Sequence, residues 1–333
     1  MNTTVRLARR PVGMIVPQDW QVSQEPIPEV VEGQFLVRTQ LVSLDPAMRG
    51  WLDDRPSYLP PVGIGEVMRA GTVAEVVESR HPKFAVGTLV QGGFGVQSYA
   101  LSDGRGVTKV DPALGTPSMY LGVLGITGLT AYFGFLVHGR PRPGDTVVVS
   151  GAAGAVGTVV GQMAKISGCR VIGIAGGADK CRMLVEDLGF DAAIDYREGS
   201  IRKALREAAG DGIDVYFDNV GGEVLNAALA NLAMHARVVI CGAISQYNAD
   251  APVPGPSNYL SLLVRRASME GFIVFDYERE YAVARRRLAT WVAEGRLQAP
   301  ETIVDGQITD FHDVFMRLFT GDNVGKLMLA VQS

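Results

Sequence analysis

The sequence contains few cysteines and histidines, which limits the metal and disulfide sites that it can form. Of 333 residues, three are cysteines (Cys169, Cys181 and Cys241) and four are histidines. Three cysteines cannot build a disulfide framework for a chain of this length, nor a structural zinc site with four cysteine ligands. The histidines are scattered without an HxxxH pair. We therefore expect no metal, and a reducing, cytoplasmic setting.

The chain also lacks an excess of basic residues and an apolar N-terminal leader. It has 31 Lys and Arg against 35 Asp and Glu, a formal net charge of −4. Nucleic-acid-binding domains are usually basic, so this balance argues against such a partner. The first residues, MNTTVRLARRPVG, contain no apolar stretch of the kind found in secretory signals.

One stretch, residues 119–137, has no charged residue and is long enough to cross a bilayer. No basic cluster flanks it, as would be expected at the cytoplasmic end of a membrane span. It is interrupted by Gly122, Gly125, Gly128 and Gly134. We expect a buried, helix-rich segment and no membrane association.

Hydrophobic patterning changes along the chain. The first hundred residues contain short strand patterns separated by Gly and Pro, whereas from Thr146 apolar β-branched runs alternate with helical patterns. In this second part, strands are predicted at Thr146–Ser150, Arg170–Ala175, Ala192–Asp195, Ile213–Asp218, Arg237–Cys241 and Met269–Phe275. Strands without polar alternation are buried on both faces, which is typical of a doubly wound parallel sheet.

A glycine-rich turn follows the first of these strands directly. Residues 151–157 read GAAGAVG, and a helical pattern begins at Ala155. Glycines between a buried strand and a helix let backbone amides approach a pyrophosphate at the helix N-terminus. The alternative is a plain strand–turn–helix junction whose glycines serve only close packing.

The residues after the second strand indicate which dinucleotide is bound. An NAD site usually has an acidic residue about 20 positions after the first glycine, to bind the ribose hydroxyls. Residues 171–177 (VIGIAGG) contain no acid, and Lys180 and Arg182 follow. A cation there favours a 2′-phosphate, which predicts NADP(H). Asp179, next to Lys180, argues the other way, and Lys180 alone could be a solvated lysine at a helix start.

Several ordered motifs resemble one known family over essentially the whole chain. They are residues 43–50 (SLDPAMRG), 65–68 (GEVM), 128–132 (GLTAY), 218–222 (DNVGG), 270–272 (EGF) and 323–326 (NVGK), together with the glycine-rich turn. This pattern is similar to that of the zinc-independent branch of the medium-chain dehydrogenase/reductase superfamily. Within it, the resemblance is to leukotriene B4 dehydrogenases, prostaglandin reductases, alkenal double-bond reductases and bacterial curcumin-reductase-like enzymes.

The resemblance implies an α/β fold in which a Rossmann doubly wound parallel-sheet domain is inserted in a β-rich GroES-like catalytic domain. We expect residues 1–125 and 300–333 to form the catalytic domain and residues 126–299 the NADP-binding domain. A homodimer is also expected, by resemblance only. Zinc-dependent relatives place their first metal ligand where this chain has Leu44 and Asp45, and none of its cysteines lies in the N-terminal part. The resemblance therefore implies catalysis without zinc.

The residues expected to bind the cofactor are also carried over from the family. The set comprises Ala153, Gly154, Ala155, Val156 and Gly157 for the pyrophosphate; Gly176, Lys180 and Tyr196 for the 2′-phosphate; and Asn219, Cys241, Gly242, Ile244, Tyr247, Phe272, Ile273, Val274 and Asn323 for the remainder. The chain departs from the family at one point, because Gly176-Gly177 stands where Gly-Ser is common. A hydroxyl contact to the phosphate is thereby lost.

The family implies hydride transfer from NADPH to the β-carbon of an α,β-unsaturated ketone or aldehyde. A tyrosine hydroxyl is expected to stabilise the enolate, and the candidates are Tyr58 and Tyr259. Some plant members carry a tyrosine where this chain aligns Val264. Either tyrosine could instead be a pocket-wall aromatic, and a ribose hydroxyl or water could supply the proton. Two other functions stay open: an NADPH:quinone reductase, and an NADPH-binding protein with little turnover.

Overall fold

The computed structural model describes residues 1–332 and divides the chain into two compact units. Unit 1 contains residues 1–122 and the chain from Glu301 onward, and unit 2 contains residues 123–300. Within the described residues the strands are β1 (Asn2–Leu7), β2 (Trp20–Glu25), β3 (Phe35–Ser43), β4 (Thr72–Ser79), β5 (Leu89–Gly92), β6 (Tyr99–Ser102), β7 (Thr108–Lys109), β8 (Thr146–Ser150), β9 (Arg170–Ala175), β10 (Ala192–Asp195), β11 (Ile213–Asp218), β12 (Leu232–Ile240), β13 (Ser268–Gly271), β14 (Glu301–Gly306) and β15 (Lys326–Val331). The α-helices are α1 (Ile126–Phe133), α2 (Ala155–Ile166), α3 (Ala178–Glu186), α4 (Ile201–Ala209), α5 (Gly222–Leu229), α6 (Leu260–Arg265), α7 (Tyr281–Ala293) and α8 (Phe311–Thr320).

Unit 1 is built from both ends of the chain. Its larger sheet has the order β14-β15-β3-β4-β5-β7, with β6 also paired to β3, while β1 and β2 form a separate antiparallel pair. Strand β15 pairs antiparallel with β3, so that Met328 lies opposite Ser43. One face of α8 packs into the same core, where Phe311 and Phe315 contact a cluster that includes Leu44 and Leu329.

Unit 2 is a parallel sheet of order β10-β9-β8-β11-β12-β13 with helices between the strands. Apolar runs such as Val147–Val149 are fully buried, as strands covered on both faces must be. Strand β8 lies between β9 and β11: the chain runs from β8 to β9 and β10 on one side, and then crosses to β11 on the other side of β8. Such a reversal of strand order is where doubly wound sheets bind ligands. The doubly wound fold predicted from the sequence is confirmed.

The last strand of the unit 2 sheet is shorter than predicted. A strand was expected over Met269–Phe275, but β13 ends at Gly271 and the chain continues in a 3-10 segment over Val274–Glu280. The cause is tertiary packing, because the ring of Phe272 turns inward onto His138, with ring centres 5.2 Å apart.

The charge-free stretch 119–137 is divided among short elements. It contains a 3-10 turn at Ser118–Tyr120, α1, and the beginning of a π-helical segment at Gly134–Gly139. Gly128 is required in α1, since a Cβ there would lie 1.8 Å from the carbonyl oxygen of Val123. Within residues 1–332, no helix is long and apolar enough to span a membrane.

Candidate functional site

The glycine-rich turn places a helix N-terminus at the carboxyl edge of the unit 2 sheet. Strand β8 ends at Ser150, and α2 begins at Ala155 with Gly154 as its N-cap. The first N–H groups of a helix have no partner within the helix, and Gly154 has no side chain to cap them. The amides at the start of α2 are therefore available to an anion, and the helix dipole favours its negative charge.

The turn is too tight to accept side chains at two of its glycines. Gly151 adopts a left-handed conformation with φ of +58°. A Cβ on Gly157 would lie 2.4 Å from the carbonyl oxygen of Gly151 and 2.7 Å from the Cα of Ala152. The glycines thus let α2 start directly above the strand end, which leaves an open cradle of amides that fits a pyrophosphate.

The strand order brings the predicted residue Asn219 next to this turn. Asn219 follows β11, the neighbour of β8, and its Nδ2 donates to the carbonyl oxygen of Ser150 at 2.7 Å. Its backbone N–H donates to Oγ of Ser150 at 2.9 Å. Both bonds hold Asn219 against the end of β8, and a Cβ on Gly151 would contact it at 3.4 Å.

A buried carboxylate under Asn219 fixes this arrangement. Asp218 is 1% exposed, and its Oδ1 accepts from the hydroxyls of Ser150 at 2.8 Å and Tyr216 at 2.9 Å. The backbone N–H groups of Val220 and Gly221 donate to the same oxygen at 3.1 and 3.0 Å. Burial, together with the Asp218 charge, raises the pKa of Tyr216 well above its ordinary value, so its hydroxyl stays a donor.

The end of β12 brings a second group of predicted residues to the same edge. The backbone N–H groups of Cys241 and Gly242 donate to the carbonyl oxygen of Asp218 at 2.9 and 3.0 Å. Burial raises the pKa of the Cys241 thiol to about 12, so it stays protonated and is a poor nucleophile. The hydroxyl of Tyr247 accepts from the N–H of Ala243 at 3.1 Å, which folds this loop back onto Gly242. Ile244 begins the short 3-10 turn between them.

Two of the predicted 2′-phosphate residues, Gly176 and Tyr196, lie together beyond the ends of β9 and β10. Tyr196 follows β10, and a Cβ on Gly176 would lie 2.8 Å from its ring, so the ring covers that glycine. Lys180 lies in the first turn of α3. Asp179, the residue that argued against a phosphate, forms an ion pair with Arg182 and has a side chain that is 93% exposed.

The side chains of Phe272 and Val274 have packing partners within unit 2. Phe272 stacks on His138 and packs against Gly134, where a Cβ would lie 2.3 Å from its ring. Val274 is 8% exposed and belongs to a core cluster with Leu129. The side chains of Phe272 and Val274 thus pack within unit 2.

The two candidate tyrosines belong to different units, and each is substantially exposed. In unit 1, the hydroxyl of Tyr58 accepts a hydrogen bond from Nε1 of Trp51 at 3.3 Å. The guanidinium of Arg69 lies 5.5 Å from the Trp51 ring centre and donates to the carbonyl oxygen of Pro60 at 3.0 Å, which supports the same loop. In unit 2, Tyr259 is the N-cap residue of α6 and is 59% exposed.

An ion pair occupies the position where zinc-dependent relatives have a ligand. Nζ of Lys326, which is 2% exposed, donates to Oδ1 of Asp45 at 2.6 Å and to the carbonyl oxygen of Leu44 at 2.9 Å. The Ser43 hydroxyl donates to the other Asp45 oxygen at 2.5 Å. Among the described residues, no group of three or more His, Cys, Asp or Glu side chains is arranged to hold a metal ion.

Other residues of the unit 1 motifs have structural partners. Arg49 is 2% exposed and donates to Asp53 at 2.8 Å and to the Gly13 carbonyl at 3.0 Å, which fixes the loop after β3. Asn323 donates to the carbonyl oxygen of Gly325 at 3.2 Å and so shapes the turn before β15.

Two features of the site were not anticipated from the sequence. The role of Asp218 is visible only when Ser150 and Tyr216 are placed around it, although it belongs to a recognised motif. Arg197, one residue after Tyr196, lies with its guanidinium 5.9 Å from the Tyr196 ring centre. The one sequence signal for Arg197 was that it directly follows Tyr196, a residue predicted to bind the cofactor.

Comparisons with known proteins match both parts of the chain. A family model described as an N-terminal domain of oxidoreductase matches residues 3–110, and one described as a zinc-binding dehydrogenase matches residues 155–290. The chain is 43% identical over 330 residues to the NADPH-dependent curcumin reductase of Escherichia coli, covering 98% of this chain and 95% of that protein. It is 41% identical to prostaglandin reductase 1 of Oryctolagus cuniculus, covering 92% and 87%. The crystal structure of CurA from Vibrio vulnificus in complex with NADPH superposes with a TM-score of 0.94 at 42% identity, covering 99% of each chain.

Proposed function

The chain belongs to the zinc-independent branch of the medium-chain dehydrogenase/reductase family and is an NADP-dependent oxidoreductase, and on this basis we propose that it reduces the carbon–carbon double bond of α,β-unsaturated ketones and aldehydes. The observation that carries the cofactor part of the proposal is the uncapped N-terminus of α2 beside the buried Asp218 network, at the reversal point of the parallel sheet. Curcumin and prostaglandin reductases among the relatives support the choice of an enone as substrate.

The residues proposed to hold the cofactor lie at the carboxyl edge of the unit 2 sheet, with one further residue in unit 1. Residues 153–157 border the pyrophosphate, with the amides at the start of α2 as its donors, while the Gly154 amide donates to the Gly151 carbonyl within the turn. Gly176, Lys180 and Tyr196 border the 2′-phosphate. The remaining contacts are assigned to Asn219, Cys241, Gly242, Ile244, Tyr247, Phe272, Ile273, Val274 and, from unit 1, Asn323. When bound, NADPH supplies the hydride that goes to the β-carbon of the substrate.

The role left to the chain is to orient the enone and to stabilise the negative charge that develops on its carbonyl oxygen. Without a metal, a hydroxyl about 3 Å from that oxygen is the simplest donor. Tyr58 is our first candidate because it lies in the Pro-rich loop of unit 1, where Trp51 donates a hydrogen bond to its oxygen. Tyr259 is the second candidate. A proton from tyrosine or water then reaches the α-carbon, so that enone, NADPH and a proton give saturated ketone and NADP⁺.

The test of this function is NADPH oxidation, followed by its near-ultraviolet absorbance, with a simple aliphatic enone and with a benzoquinone. We expect conversion of the enone to the saturated ketone, identified by mass spectrometry, and a strong preference for NADPH over NADH. Quinone turnover without enone reduction would move the assignment to a quinone reductase. Cofactor binding without turnover of any acceptor would instead indicate a binding protein.

Tyr58→Phe and Tyr259→Phe separate the two candidate hydroxyls. Loss of the catalytic hydroxyl should lower kcat for the enone about 10²-fold, as loss of an oxyanion donor does, with little change in the KM for NADPH. Tyr99→Phe, in β6, serves as the control. If neither variant lowers kcat by more than a few-fold, a water or a ribose hydroxyl has the role instead.

We also propose that the protein acts as a cytoplasmic homodimer. Strand β13 is an edge strand in the unit 2 sheet, which supports pairing across two copies. Size-exclusion chromatography with light scattering measures the mass directly, and a value near the 35.6 kDa chain mass would contradict the dimer.

A further inference from the structure

The turn at Gly176-Gly177 lacks a hydroxyl, and the structure places a different polar group beside it. Gly177 has φ of +96°, a backbone conformation that disfavours a serine at this position. A Cβ built on Gly177 would lie 3.7 Å from Nη1 of Arg197. The guanidinium therefore lies in the direction that a side chain at position 177 would take.

Arg197 is held there by its neighbours. Its guanidinium carbon lies 5.9 Å from the ring centre of Tyr196, and that ring covers Gly176. The carboxylate of Asp195 accepts the backbone N–H groups of Gly177 and Arg197, the latter at 2.9 Å, and these bonds lower its pKa. Asp195 thus ties the glycine turn to the backbone from which Arg197 projects.

The other arginine near this site is already engaged. Arg182 on α3 forms an ion pair with Asp179. Among the described residues, Arg197 forms no ion pair with a carboxylate within 4 Å, although its charge also contributes to the lowered pKa of Asp195. Its planar fork of N–H donors suits two phosphate oxygens, and the neighbouring Tyr196 ring limits the freedom that it would lose on binding.

We propose that Arg197 is a specificity-determining residue that binds the 2′-phosphate of NADPH and replaces the hydroxyl that Gly177 lacks. The proposal rests on the NADPH-dependent function proposed above. The proposal gives the site a second cation in addition to Lys180. The 2′-hydroxyl of NADH carries no negative charge, so it would not form an ion pair with Arg197.

The test uses calorimetric titration with adenosine 2′,5′-bisphosphate and with AMP, which share the adenosine and the 5′-phosphate and differ only in the 2′-phosphate. In Arg197→Gln we expect the affinity for the bisphosphate to fall about tenfold, which is a modest loss for a charge-assisted contact because the site is exposed to solvent. The affinity for AMP should change less than twofold. Arg197→Lys, which keeps the charge and loses the fork, should fall between Arg197→Gln and the unmodified protein.

Two controls keep the outcomes separate. Arg206→Gln, on the exposed face of α4, removes the same charge away from the site and should leave both affinities unchanged. An unchanged bisphosphate affinity in Arg197→Gln, or an equal loss for both ligands, overturns the role of Arg197. If the unmodified protein binds the two ligands equally, the NADPH assignment itself fails. Matching melting temperatures of the unliganded variants exclude misfolding as the cause of a loss.

Discussion

At the scale of single residues, buried charge in unit 1 is paired, with one exception. Lys326 and Asp45 form an ion pair. Lys326 also donates to the Leu44 carbonyl oxygen, and Asp45 also accepts from the Ser43 hydroxyl. Glu301 is opposite Lys326 in the pairing of β14 with β15, but its buried Oε1 has no hydrogen-bond partner among the described residues. Burial raises the pKa of this carboxyl, and the nearby Ser118 and Lys326 only partly offset the effect.

The raised pKa of Glu301 predicts a pH-dependent gain in stability for Glu301→Gln. A carboxyl whose pKa is higher in the folded state contributes stability below its unfolded pKa, and loses that contribution as pH rises through the folded value. Below pH 4 the two proteins should therefore be alike, whereas at pH 8 the variant should be more stable by about 1 kcal/mol, the cost of a poorly satisfied buried group. Urea unfolding at both pH values measures this.

Glu32→Gln is the control for that measurement, because Glu32 is exposed in the same unit. It should show no difference between the two pH values. A Glu301→Gln variant that is less stable than the original protein at pH 8 would show that the attraction to Lys326 outweighs desolvation.

The sequence predicts the residues that follow strand ends, but it does not predict the buried residues whose hydrogen bonds hold those strand ends in place. Lys180 and Tyr196 follow from family motifs, and both lie beside the Gly176 turn. By contrast, the bond between Ser150 and Asp218 joins residues 68 positions apart, and it exists because β8 and β11 are neighbours. Strand order is a property of the whole sheet, so this contact cannot be predicted from the local pattern of a single sequence.

At the scale of elements, the prediction succeeded where a strand is apolar and ends at a glycine or a polar turn. Strands β8, β9, β10 and β11 have the predicted bounds. Strand β12 begins five residues earlier than expected, at Leu232, because the chain passes through His235 with φ of +63° and a register shift before it pairs regularly with β11. A bulge of this kind interrupts the apolar pattern, so the pattern alone predicts only the regular half.

The junction of β8 and α2 predicts the effect of Gly157→Ala. The added methyl group would lie 2.4 Å from the Gly151 carbonyl oxygen, so α2 has to move away from the strand end. We expect the free energy of unfolding to fall by about 1–3 kcal/mol, as in overpacked cores. We also expect weaker binding of adenosine 2′,5′-bisphosphate by calorimetry, since the amide cradle is distorted.

Gly255→Ala is the matched control in unit 2. Nothing lies within 4 Å of a Cβ at Gly255, and its φ is not positive. Tolerance of alanine at both positions would refute a steric role for Gly157.

At the scale of the whole molecule, unit 2 is continuous in sequence and unit 1 is not. Unit 2 has its own sheet and a core around Val148, Ile172 and Tyr216. Unit 1 depends on the chain after Glu301 for β14, β15 and α8, which supply Phe311, Phe315 and Leu329 to its core. The two segments of unit 1 meet where a Cβ on Gly122 would lie 3.6 Å from Oε1 of Glu301.

Fragments should therefore behave differently. Residues 123–300 expressed alone are expected to melt cooperatively by circular dichroism and to bind adenosine 2′,5′-bisphosphate. Residues 1–122 alone should not melt cooperatively, because β3 lacks β15 and part of the core is missing. Joining residues 1–122 to 301–333 with a short glycine linker should restore a cooperative transition. A cooperative melt of residues 1–122 by themselves would contradict this division.

The pairing of β15 with β3 also has a consequence for synthesis on the ribosome. At about 5–20 residues per second, β15 is made on the order of ten to forty seconds after β6, the strand that pairs with β3 from the N-terminal segment. The edge of β3 that will receive β15 is unpaired during that interval, while the whole of unit 2 is translated. Unpaired edges attract other strands, so nascent chains of this protein are a natural substrate for chaperones that bind extended segments.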